Sequence, residues 1–77
     1  MYQANTNVIV DLTRALSDEH GDSVVSKVSS LRGVSAVRVS PRTRRLLLVD
    51  YDPTVTDSQR ILRACAGQGF DARLVGL

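Results

Sequence analysis

Hydrophobic positions along the chain follow two rhythms in turn. Val8, Val10 and Leu12 alternate with Ile9, Asp11 and Thr13, and this period of two predicts a half-buried strand. Ile9 falls on the outward parity, so the second face of that strand is not purely polar. The pattern lapses over residues 14–17. The cluster Ser17-Asp18-Glu19-His20-Gly21-Asp22 follows, and small hydroxyl and acidic side chains of this kind suit a helix N-terminus, where backbone amides lack partners. Val24, Val28 and Leu31 then recur at spacings of four and three, with Val25 widening the stripe, which predicts helix one. Arg32-Gly33 supplies its exit, a cation near the C-terminus and a glycine free to take positive φ.

Val34, Val37 and Val39 begin the next apolar set, and the alternation of Val37 and Val39 with Arg38 and Ser40 predicts a second strand. Ser40-Pro41-Arg42-Thr43 reads as a turn, because proline fixes φ and removes an amide donor. Residues 45–51 predict a third strand, joined to the second as a hairpin. Its inward set is Leu47, Val49 and Tyr51 or the opposite parity, since three consecutive leucines blur the choice. Asp52-Pro53 ends it. Thr56-Asp57-Ser58-Gln59 matches a capping box, with Thr56 at the cap, and Ile61, Leu62 and Cys65 give helix two its apolar face. Gly67-Gln68-Gly69 stops that helix, and Phe70, Ala72, Leu74 and Val75 supply a fourth strand.

The order is βαββαβ. Right-handed crossovers place both helices on one sheet face, so the expected fold is an α/β (α+β) ferredoxin-like sandwich with a four-stranded antiparallel sheet. The expected organisation is a single domain over residues 1–77, formed by two βαβ halves at 7–39 and 45–75.

Composition narrows the chemistry. At 77 residues, with 43% hydrophobic content, the chain has enough apolar material for one small core. Its single cysteine excludes a disulfide framework and any zinc site needing several thiolates from one chain, and its single histidine excludes an all-histidine cage. No apolar run approaches the ~20 residues of a membrane span. Residues 1–7 carry neither the charged nor the apolar region of a signal peptide, so the expected location is cytoplasmic. No phosphate loop, carboxylate pair or Ser-His-Asp set appears, and Gly67-Gln68-Gly69 follows a helix instead of preceding one; an enzyme is not expected.

Nine of the ten basic residues are arginine. Arg38, Arg42, Arg44 and Arg45 surround the predicted hairpin. Tyr51 is the sole aromatic on a central strand, so there is no stacking platform and nucleic acid is not an expected partner. The arginines read as a solvated edge that discourages strand-to-strand aggregation. Cys65 falls on the apolar face of helix two and reads as a buried small hydrophobe.

Val28, Leu31, Gly33-Val34, Val37 and Val39, then Val49-Asp50-Tyr51-Asp52-Pro53, Ile61 and Gly69-Phe70, carry a family likeness in order and spacing. In these motifs the chain resembles the heavy-metal-associated domain of copper chaperones, mercury-binding proteins and metal-transporting P-type ATPases. The resemblance covers residues 8–75. It implies metal binding or transport at the strand 1–helix 1 loop, where that family carries Met-x-Cys-x-x-Cys. Here the Met position falls on Ala15 and the two cysteine positions on Ser17 and His20. Both thiolates are absent, and soft thiolates are what select Cu(I).

His20, with Ser17 beside it, is therefore the candidate metal site. Asp18, Glu19 and Asp22 read first as helix-capping and dipole residues, with a role as oxygen ligands the alternative. An imidazole and oxygen donors suit Zn, Ni, Co or Cu(II). One histidine makes a weak site, so the expectation is weak or partner-shared binding. The implied partners are a metal-transporting ATPase or another copy of the chain. The alternative function is a metal-free protein-interaction or dimerisation module that has lost the family's ligands.

Overall fold

In a computed structural model, residues 5–13, 16–66 and 71–75 are described. The elements run β1 (Thr6–Asp11), α1 (Asp18–Ser29), β2 (Val34–Val39), β3 (Leu46–Tyr51), α2 (Ser58–Ala66) and β4 (Arg73–Val75). The strands form one sheet in the order β2-β3-β1-β4, with every adjacent pair antiparallel. β1 and β2 therefore run parallel on either side of β3, and α1 is the crossover between them. This is the expected ferredoxin-like βαββαβ arrangement.

Strand parity sorts the side chains. Val8, Val10, Leu12, Leu47 and Val49 turn inward and are buried. They meet Val24 and Val28 of α1 and Ile61 and Cys65 of α2, all of them essentially without solvent contact. Each fully buried aliphatic side chain contributes roughly 1.5–3 kcal/mol of transfer free energy. The ambiguity over the three leucines resolves in favour of Leu47, while Leu48 points to the open face and is 36% exposed. Leu16, in the stretch where the sequence pattern lapsed, is also buried.

Two local expectations need correction. The α2 cap is Asp57, not Thr56: the Asp57 carboxylate accepts the Arg60 amide at 2.9 Å, and the Asp57 carbonyl accepts that of Ile61. Thr56 is instead packed inward, its amide donating to the Asp52 carbonyl. The reciprocal bond expected of Gln59 consequently has no cap at Thr56 to serve. The fourth strand is shorter than expected, Arg73–Val75; Phe70 and the Gly67-Gln68-Gly69 stop lie outside the described residues.

Gly33 takes φ +92°, as expected of the residue leaving α1. A Cβ there would stand 2.9 Å from both Cβ and Cγ1 of Val55. The β3–α2 connection thus lies directly against the glycine backbone. Among the described residues no helix is long and apolar enough to cross a membrane.

Candidate metal centre at the β1–α1 loop

The loop from Leu12 to Ser17 carries the candidate site, and its two ends are held by opposite means. At the helix end Ser17 is the N-cap of α1: its hydroxyl oxygen accepts the backbone amide of His20 at 3.2 Å. This places His20 in the first turn, on the solvent side, with Asp18, Glu19 and Asp22 also exposed around that turn. Ser17 and His20 are therefore together, joined through a backbone bond. Among the described residues no three His, Cys, Asp or Glu side chains converge closely enough to hold a metal ion. Ala15 lies outside the described residues.

At the strand end sits Asp11, which pattern reading passed over as one polar residue in an alternation. It occupies the outward parity of β1, yet its side chain is only 5% exposed. Its Oδ1 accepts the Thr13 amide at 2.8 Å, closing a short turn in which Thr13 takes φ +66°. Arg45 Nε lies 3.4 Å from the same oxygen, and Arg73 Nη2 approaches Oδ2 at 3.3 Å. The Thr13 amide above all, with the Arg45 and Arg73 charges behind it and burial opposing, holds the Asp11 carboxyl below its ordinary value.

Between these ends the loop is tied to the β2–β3 hairpin. The Leu12 amide donates to the Arg45 carbonyl at 2.8 Å, and the Leu16 amide to the Arg44 carbonyl at 2.7 Å. Arg44, at φ +55°, returns two bonds: Nε to the Leu16 carbonyl at 3.1 Å and Nη2 to Asp18 Oδ1 at 2.8 Å. Reading Arg44 and Arg45 only as a solvated edge therefore needs correction. They fold back onto the loop: the Leu12 and Leu16 amides, left without ladder partners, donate to the hairpin carbonyls, while the Leu16 carbonyl and the Asp11 and Asp18 carboxylates face the two guanidiniums. Arg38 and Arg42 remain exposed.

Cys65 is far from this role. It is fully buried on α2, and burial pushes its thiol up to about 11, so it stays protonated and unreactive at neutral pH.

The arrangement offers an exposed imidazole and oxygen donors on a helix turn whose approach is braced from two sides. Imidazole and oxygen donors are of the kind that borderline divalent ions take as ligands.

No protein-family model matches the chain, and no curated protein matches it in sequence. Solved structures do. Oxidised MerP from Ralstonia metallidurans CH34 superposes with a TM-score of 0.83 at 25% identity, covering 94% of this chain and 99% of that one. A copper-binding domain from a P-type ATPase matches with a TM-score of 0.81 at 20% identity, over 91% and 93% of the two chains. A putative copper-ion-binding protein from Bacillus anthracis str. Ames matches with a TM-score of 0.77 at 23% identity, over 94% and 100%. In sequence motifs and in fold alike, the chain is similar to the heavy-metal-associated domains of metal-binding and metal-transporting proteins.

Proposed function

We propose that this protein is a heavy-metal-associated-type domain that handles a divalent transition-metal ion by weak or partner-shared coordination at the β1–α1 loop. His20 is the principal ligand and Ser17 its neighbour in the site. The carrying observation is the exposed imidazole in the first turn of α1, on a fold whose neighbours include copper-binding domains. Zn, Ni, Co and Cu(II) are the cargo that nitrogen and oxygen donors favour. Because no three such ligands converge among the described residues, the remaining donors come from a second molecule. A metal-transporting ATPase domain and another copy of the chain are the partners that fit. The role is binding and transfer, not catalysis.

The sheet and both helices enclose one core, which supports reading residues 1–77 as one domain. A cytoplasmic location goes with this proposal, and cell fractionation tests it.

Titration of Zn(II), Ni(II), Co(II), Cu(II) and Cu(I) into wild type and His20→Ala tests the site. At least one divalent ion binds wild type more tightly than the mutant. Equal binding of every ion to both proteins ends the proposal.

The lack of a converged ligand set favours a second reading, a metal-free interaction or dimerisation module. Sedimentation with and without metal separates the two. Association that metal strengthens in wild type but not in His20→Ala indicates a shared-ligand site; association that metal changes in neither protein indicates the module.

A further inference from the structure

The helices cover one face of the sheet, and the other face carries a row that its strand alternation does not require to be apolar. The registers Arg38↔Leu48, Leu48↔Ile9 and Ile9↔Val75 align four side chains across all four strands. Leu48 and Val75 are 36% and 39% exposed, two of the three large exposed hydrophobics among the described residues. The row is flanked by charge of both signs. Arg38 stands at its β2 end, and Asp50 lies one step along β3, opposite Asn7 and Ala36. Arg38, Leu48, Ile9, Asn7 and Asp50 line one shallow depression, which adjoins a second over Pro41.

Arg44, Arg45, Arg60 and Arg73 all have carboxylate partners within the chain. Among the described residues neither the Arg38 guanidinium nor the Asp50 carboxylate has an ion pair. An apolar strip edged by one unpaired cation and one unpaired anion is complementary to its own copy: a two-fold axis sets each Arg38 towards the other molecule's Asp50. A partner surface of a single sign would satisfy only one of the two charges. The net charge of +2 adds little repulsion between copies.

We propose that the open sheet face is a self-association surface, on which a second copy of this chain packs its Leu48–Ile9–Val75 row against the same row with reciprocal Arg38–Asp50 pairing. Size sets its strength. β1, β2 and β3 are six residues long. At about 4.8 Å between strands and about 3.3 Å per residue the face spans on the order of 400 Å². Two copies then cover roughly 800 Å² in all, below the ~1,200–2,000 Å² of stable complexes. The dimer is weak and reversible, populated at high protein concentration. It does not depend on the loop or on metal.

The test is sedimentation from micromolar to millimolar protein, with chelator present, on wild type, Leu48→Glu, Arg38→Asp and Asp50→Arg. All three side chains are outward-facing, and circular dichroism checks that each variant folds. Wild type associates as concentration rises, and each variant loses that association. An equimolar mixture of Arg38→Asp and Asp50→Arg regains it, because one molecule now carries two anions at the patch and the other two cations. A wild type that stays monomeric throughout, variants that associate like wild type, or a mixture that stays monomeric each overturns the proposal. His20→Ala leaves this association unchanged and removes any metal-induced one, so its failure and that of the metal site are told apart.

Discussion

The chain makes two strand-to-helix connections of six residues each, 12–17 after β1 and 52–57 after β3, and they share a local grammar. In the first, Asp11 accepts the Thr13 amide; in the second, Asp52 accepts the Thr54 amide at 2.9 Å and the Thr54 hydroxyl at 2.6 Å. Ser17 caps α1 and Asp57 caps α2, each accepting the amide three residues on. What surrounds them differs. The second connection is held by local bonds, by the Asp52 amide donating to the Gly33 carbonyl at 2.8 Å, and by the close approach of Val55 to Gly33. The first is held by two backbone bonds to hairpin carbonyls and, in addition, by three arginine side chains brought from the hairpin and from β4. Equivalent turns can thus be fixed by packing or by charge. The charge-fixed loop, whose restraints answer to salt and pH, is the one that carries the candidate metal ligand.

The largest expected effect lies in the packed connection. Gly33→Ala forces a Cβ into Val55 and a side chain into positive φ, at a cost of about 3 kcal/mol. Denaturant unfolding measures it; a loss near zero would mean that the β3–α2 connection does not depend on that contact.

The next effect separates the two aspartates. Both carboxyls are held below the ordinary 3.8, Asp11 first by the Thr13 amide and then by the arginine charges, Asp52 by the Thr54 hydroxyl and amide. Because the folded value is the lower one, each group stabilises the fold fully above the ordinary carboxylate value. That stabilisation is lost as pH falls through the folded value. Arg45 and Arg73 are substantially exposed, so salt screens their share. Carboxyl NMR titrations at low and high salt should show Asp11 moving up towards 3.8 while Asp52 stays in place. Equal movement of both would remove the distinction.

The caps should behave alike. Ser17→Ala and Asp57→Ala each leave one helix amide without its acceptor, at about 1 kcal/mol in thermal or denaturant unfolding. A markedly larger loss at Ser17 would show that the cap also braces the loop. The smallest effect is expected at Asp18→Ala. Its pair with Arg44 is short, but the Asp18 side chain is 94% exposed, so at most ~0.5 kcal/mol is lost.

Much of this was legible along the chain. The alternation of Val8, Val10 and Leu12, the stripe of Val24 and Val28, and the positive φ of Gly33 are consequences of backbone geometry acting over a few residues, and all are found. The likeness to metal-handling domains was legible in the same way, as an order of short motifs. The α2 cap was misplaced by one residue, because Thr56 and Asp57 are both good caps and only the burial of Thr56 against Gly33 selects between them. Leu16 was passed over because a single apolar residue between two elements has no period.

The sequence by itself determined the order of elements, the inward residues of β1 and of both helices, and the position of Ser17 and His20 at the start of α1. Tertiary structure alone decided which charges meet. Arg73 is 62 residues from Asp11 and Arg44 is 28 from Leu16. Nine arginines among eight acidic residues allow many pairings, and no periodicity ranks them. Sheet order brings β4 beside β1 and the hairpin beneath the loop. Long-range electrostatics follows from that placement, whereas strands and helices follow from neighbours.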